Sequence, residues 1–97
     1  MFDLKVFTWD ARKAAANEAK HGVGFDEASS AMLDPCACVL PDPDHGRGEE
    51  RFILLGMSLH TRVLVVCYCY PEEEHVIRII SARKASPGEA AGYAGQG

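Results

Sequence analysis

Apolar residues along this chain follow two periods in turn, helical in the first third and strand-like after it. "LKVFTW", residues 4–9, alternates and reads as a first short strand. Asp10 then caps the alanine-rich "ARKAAANEAKH", a stretch of high helix propensity that Gly22 ends in the left-handed cap position. Phe25 and Asp26 read as staple and N-cap of a second helix, "EASSAML", whose apolar positions Ala28, Ala31 and Met32 keep helical spacing. Asp34-Pro35 stops it, because the residue before proline avoids the helical region. "CACVL" is a candidate strand, and "PDPDHGRGE" is a loop by composition.

Three strands are expected next, over residues 50–58, 62–70 and 75–83, joined by connections of hairpin length, "LHT" and "PEEE". Ser86-Pro87-Gly88-Glu89 sets a capping box with proline at the first helical position, opening a short last helix that Gly92 and "AGQG" break. The expected class is α+β. Two N-terminal helices pack on one face of a mostly antiparallel meander sheet, and a short C-terminal helix follows.

Ninety-seven residues suit one domain, residues 1–97, with a core large enough to fold without staples. The longest apolar run, residues 63–69, has strand length, far short of a membrane span. "MFDLKVFTWD" lacks the basic and apolar regions of a secretory signal, so a cytoplasmic location is expected. The net charge of −4 argues against indiscriminate nucleic-acid binding, which neutralises many phosphates at once, and still allows a small local basic site.

The four cysteines form two Cys-x-Cys pairs, Cys36/Cys38 and Cys67/Cys69. Residues two apart in a strand share a face, so a tetrathiolate zinc site is one reading. The spacing is not that of a zinc knuckle, and both pairs lie in apolar strand patterns. Small buried hydrophobes are the better account, and no metal or other cofactor is expected.

The chain carries no Gly-x-Ser-x-Gly, no P-loop, no dinucleotide fingerprint and no His-Glu-x-x-His. Cationic and titratable residues gather instead at the ends of elements: Lys20 and His21, Glu50 and Arg51, His60 and Arg62, Arg78, Arg83 and Lys84. Singly, each has a structural explanation. Lys20 and His21 complement a helix dipole, Arg78 fits a cross-strand ion pair, and the others suit solvated strand ends. Together they supply what transesterification of RNA needs: a base for the 2′-hydroxyl proton, arginines for the phosphate charge, and an acid for the leaving oxygen. Strict alternation puts Arg62 and Arg78 on one parity and Arg51 and Arg83 on the other. Register and bulges decide which share a face.

The order of segments is more specific. "FTWDARKAAANEAKHGVGFDEA", "DP", "DPDH", "EERFILLG", "RVLVV" and "IRIISARKA", with a later Glu and Tyr, resemble the BrnT family of small toxins from bacterial toxin–antitoxin operons. The similarity runs from Phe7 to Tyr93 and is position by position at Trp9-Asp10, Asn17, residues 20–23, Phe25, Glu27-Ala28, Asp34-Pro35, residues 50–52 and residues 77–85. It implies a RelE-like fold and a metal-independent endoribonuclease that inhibits translation. It also implies a BrnA-like antitoxin partner, through which alone operator DNA is bound. On this resemblance His21, Glu50, Arg62 and Arg83 are the catalytic candidates, and Lys20, Arg51, Arg78 and Lys84 the RNA-phosphate contacts.

Three features depart from the family. Thr61 stands where a glycine is frequent, the cysteine pairs replace aliphatic or polar residues, and the last helix holds two glycines and little charge. The alternatives are a catalytically inactive antitoxin-binding module and a small zinc protein. Without antitoxin, an uncovered edge strand leaves room for a homodimer.

Overall fold

The structure, a computed structural model, describes residues 6–42, 50–71 and 75–94. Parts of the expected first strand and of the 41–49 loop, the acidic "EEE" of the last hairpin and the C-terminal "GQG" lie outside the described residues. The elements are β1 (Val6–Thr8), α1 (Ala11–His21), α2 (Phe25–Met32), β2 (Cys38–Pro41), β3 (Arg51–Met57), β4 (Val63–Cys69), β5 (Val76–Lys84) and α3 (Pro87–Ala94). They make an α+β fold. Its five-stranded sheet has the order β1-β5-β4-β3-β2. The β2 to β5 meander is antiparallel as expected, while β1 pairs parallel with β5 and makes the sheet mixed.

The caps follow the sequence closely at α1. Asp10 Oδ1 accepts from the Arg12 and Lys13 amides, and Gly22 adopts φ 71° at the far end. At α2 the sequence reading shifts by one turn-residue pair. Gly24 is the N-cap, and Asp26 lies inside the first turn, where it complements the dipole instead of capping. The α3 capping box is formed in both directions: the Ser86 amide donates to Glu89 Oε1, and the Glu89 amide donates to Ser86 Oγ.

Both N-terminal helices cover one face of the sheet. Val23, Phe25, Ala28 and Ala31 pack with Leu64, Val66, Ile79 and Ala82, all essentially buried. Leu54, Tyr68 and Ile77 extend the core toward the other end of the strands. Gly56 lets α2 sit directly on β3, since a Cβ there would lie 2.5 Å from the Ala31 carbonyl oxygen. One polar side chain ties the layers together. Asn17 Nδ2 donates to the Val23 and Ala82 carbonyls, and Asn17 Oδ1 accepts from the Ala82 amide. It takes the place of a neighbouring strand on the β5 edge beyond the end of β1.

The register settles which arginines share a face. Cys67 pairs with Ser81, but Tyr68 pairs with Ile79, so β5 carries a bulge that spends one extra residue. The bulge resets the parity of everything before it. Arg78 therefore lies opposite Cys69, which lies opposite Arg51, and Arg83 lies opposite Val65. All three arginines project from the face away from α1 and α2, as alternation from the buried Ile77, Ile79 and Ala82 requires.

Candidate active site

The β3–β4 connection is a three-residue loop, Leu59-His60-Thr61. The Thr61 amide donates to the Ser58 carbonyl and the Ser58 amide to the Arg62 carbonyl. Such a loop ends in a left-handed residue, usually glycine. Here Thr61 takes that conformation at φ 57°. The missing glycine thus leaves the turn its length and adds backbone strain. Left-handed geometry costs a side-chain-bearing residue about 1–2 kcal/mol, and glycine returns about 0.5–1 of that as lost chain entropy. Thr61→Gly is expected to raise stability by about 0.5–1 kcal/mol, read as a higher urea midpoint at unchanged slope. A lower midpoint would contradict the strain.

This tight loop delivers Arg62 to the start of α2. Its Nε donates to Glu27 Oε2 at 2.9 Å, and its Nη2 bonds both Glu27 Oε1 and the Gly22 carbonyl. Ser58 Oγ donates to Glu27 Oε2 at 2.7 Å. Glu27 is buried, yet its carboxyl is held below the ordinary carboxylate range, chiefly by the Arg62 hydrogen bonds, against the upward push of burial. The guanidinium stays charged for the same reason. Arg62 remains 33% exposed, and Nη1 makes no hydrogen bond to a described residue.

His21 and Lys20 close α1 beside Gly22, His60 lies in the loop, and Lys84 pairs with Leu64 while the Ala85 amide donates to the Val63 carbonyl. So five of the eight sequence candidates, Lys20, His21, Arg62, Arg83 and Lys84, sit at one end of the sheet. Glu50, Arg51 and Arg78 sit at the other, about 20 Å away along β4 at ~3.3 Å per residue. The antiparallel register therefore does not assemble His21, Glu50, Arg62 and Arg83 into one constellation, because β3 begins where β4 ends. Arg83 also projects to the opposite face from Glu27.

Arg83 has a carboxylate partner of its own. Its Nη1 and Nη2 donate to the two oxygens of Glu89 at 2.8 and 2.9 Å. Tyr93 OH donates to Asp34 Oδ2, and Asp34 in turn accepts from the Met57 and Cys36 amides. These two bonds dock α3 against the β3 side of the sheet. The Arg83 guanidinium and the Ser86 amide pull the Glu89 carboxyl down to about 2, from 4.5. Hydrogen bonding to Asp34 pushes Tyr93 up to about 12, from 10.0. A depressed acid supports the fold above its unfolded pKa and loses that support as pH falls toward 2; a raised phenol supports it below 10 and loses it as pH climbs toward 12. Docking of α3 is expected to be complete near neutrality, to loosen from about pH 4.5 downward and again above about pH 10. Hydrogen exchange of the α3 amides at several pH values checks this, and protection that grows on acidification would contradict it.

The cysteine pairs do not converge. Cys38 pairs with Leu55 and Cys67 with Ile53, so the pairs are two strands apart and offset along the sheet, roughly 12 Å between Cα atoms at ~4.8 Å per strand and ~3.3 Å per residue. That separation is too wide for four sulfurs around one ion at about 2.3 Å. Burial and the Asp42 carboxylate push the Cys67 thiol up to about 11, which keeps it protonated. Among the described residues no three His, Cys, Asp or Glu side chains group as metal ligands.

A profile of the family described as "Ribonuclease toxin, BrnT, of type II toxin-antitoxin system" matches residues 9–89. The chain belongs to the BrnT family of ribonuclease toxins. Among solved structures it is similar to the Brucella abortus ribonuclease toxin BrnT, with a TM-score of 0.63 and 26% identity over 86% of this chain and 97% of that one. None of the curated proteins matches it. No helix among the described residues is long and apolar enough to cross a membrane.

Glu27, Ser58 and Glu89 were not singled out as site residues by the sequence reading. Glu27 carried a signal: it lies four residues before Ala31 and beside Ala28, on the stripe that packs against the sheet. A carboxylate on a buried stripe requires a cation, and Arg62 supplies it.

Proposed function

We propose that this BrnT-family toxin cleaves RNA without a metal, at the end of the sheet where Arg62 meets the C-terminus of α1. The supporting observation is the clamping of Arg62 by Glu27 and Gly22, with Ser58 bonding the same carboxylate, which fixes the guanidinium and leaves Nη1 without a partner among the described residues. His21 takes the 2′-hydroxyl proton as the oxygen bonds to phosphorus. Arg62, with Lys20 and Lys84 near it, holds the charge of the five-coordinate phosphate. The P–O5′ bond breaks, and the leaving oxygen takes a proton from His60. The products are a 2′,3′-cyclic phosphate and a 5′-hydroxyl. In this reading Glu50 has no chemical part, Arg51 and Arg78 hold RNA farther along, and Arg83 anchors α3.

The reading includes a cytoplasmic toxin that inhibits translation and is neutralised by a BrnA-like antitoxin carrying the DNA-binding module. Exposed Leu33, Met57 and Leu59 beside α2 support a covering partner. Cleavage of RNA by His21→Ala, Arg62→Ala and Arg51→Ala proteins in chelator tests the site. Activity is expected to vanish in the first two and to persist, weakened, in the third. The reverse order would move the chemistry to the other end. The carboxylate partners of Arg62 and Arg83 favour a second reading, a binding module without catalysis; antitoxin binding with no cleavage by any folded preparation would select it.

A further inference from the structure

A cavity of about 330 Å³ opens at the β1 edge, lined by residues 8–10 and 78–80 and by Lys13. Three local features make it. β1 ends at Thr8, which pairs with Arg78. The bulge displaces β5 just beyond that pair. Two residues farther on, Asn17 takes over the edge at Ala82. Between Arg78 and Ala82 the edge of β5 is therefore faced by the turn from β1 into α1 and, among the described residues, by no strand. The mechanism above uses none of its lining except Arg78.

Its chemistry is mixed in a particular way. Trp9 is 37% exposed, and its indole is braced edge-on by the buried Phe25 ring at 6.0 Å and 82°. Lys13 is an exposed cation, and Arg78 borders the cavity from a strand position whose side chain leaves on the other face of the sheet. Asp10 spends Oδ1 on the α1 cap, so Oδ2 keeps its capacity to accept. A fixed aromatic surface, a cation and one acceptor suit a planar, hydrogen-bonding ring joined to a phosphate. An isolated phosphate has no use for the indole, and an apolar ligand has none for the charges.

We infer that this cavity is a subsite for one unstacked nucleobase of the RNA, its base against Trp9 and its phosphate on Lys13. Sequence-selective RNA binding proceeds by splaying single-stranded bases onto aromatic side chains in this way. The inference rests on the ribonuclease reading and adds a place where the substrate's sequence is read. The cavity is at the N-terminus of α1 and His21 at its C-terminus, about 16 Å apart at ~1.5 Å per residue. The base selected is thus a few nucleotides from the cut, on a strand running along the β1/β5 edge.

The chain holds one tryptophan, so its fluorescence reports on this cavity alone. The full chain is titrated with an end-labelled single-stranded 2′-O-methyl RNA, which cannot undergo 2′-hydroxyl attack. Binding is followed by label anisotropy and stacking by Trp9 quenching. The expected result is saturable quenching in step with anisotropy, with affinity about tenfold weaker for Trp9→Leu and clearly weaker for the solvent-exposed Lys13→Ala. Ribose 5-phosphate, the probe without a base, should leave the fluorescence unchanged. Binding without quenching and unaffected by Lys13→Ala overturns the subsite and leaves the ribonuclease reading standing. Equal quenching by ribose 5-phosphate overturns the base and reduces the site to a phosphate contact. Absence of both binding and RNA cleavage overturns the subsite together with the reading beneath it.

Discussion

Arg62→Ala is expected to abolish RNA cleavage and to lower the stability of the fold by about 2 kcal/mol, a little under the 3–5 kcal/mol typical when a fully buried pair is broken. The loss has two parts. Cleavage fails because the outward N–H groups of Nη1 disappear from the phosphate position. Stability falls because Glu27 keeps its charge in a buried place with Ser58 Oγ as its one hydrogen-bond donor left among the described residues. The one-third exposure of Arg62 admits water to the carboxylate and softens the second part. Glu27→Gln separates the two. It is expected to restore much of the stability of the Arg62→Ala protein, since no charge is then stranded, and to restore none of its activity. Chemical denaturation and single-turnover cleavage of the single and double mutants read both quantities. If the double mutant were less stable than Arg62→Ala alone, the ion pair would not be what holds this end of the sheet.

The largest purely structural effect is expected at Asn17→Ala. The change strands the Ala82 amide and carbonyl and the Val23 carbonyl, all buried behind α1. Each unsatisfied buried group costs about 1–3 kcal/mol, and some relaxation is expected, so about 3 kcal/mol is the expected total. In a chain this short that lowers the melting temperature by more than about 10 °C. The exposed neighbour Glu18→Ala serves as the control and should move it little. A small effect at Asn17 would mean that α1 is held by its apolar contacts alone.

What the sequence made legible was local. Asp10 and Gly22 bracket α1, Ser86 and Glu89 open α3, and the meander follows from three apolar runs joined by short turns. Each rests on a few adjacent residues. What stayed hidden was long-range. The parallel pairing of β1 with β5 has no signature in six residues of alternation. The bulge at Ile79 and Ile80 looks like any apolar dipeptide, yet it puts Arg78 on the face of Arg51 and Arg83. Partners were equally illegible, because Glu27 is 35 residues from Arg62, and nothing local tells a buried carboxylate from an exposed one. The phosphate candidates Arg62 and Arg83 proved to have carboxylates of their own, which no local pattern announces.

2′-Hydroxyl attack at the Arg62 end leaves its signature in the end groups of the cleaved RNA. Purified antitoxin-free protein is incubated with single-stranded RNA in chelator, and the fragments are weighed by mass spectrometry. The expected fragments end in 2′,3′-cyclic phosphates and 5′-hydroxyls and are absent from the Arg62→Ala reaction. Fragments ending in 3′-hydroxyl and 5′-phosphate, or cleavage unchanged in Arg62→Ala, would contradict it.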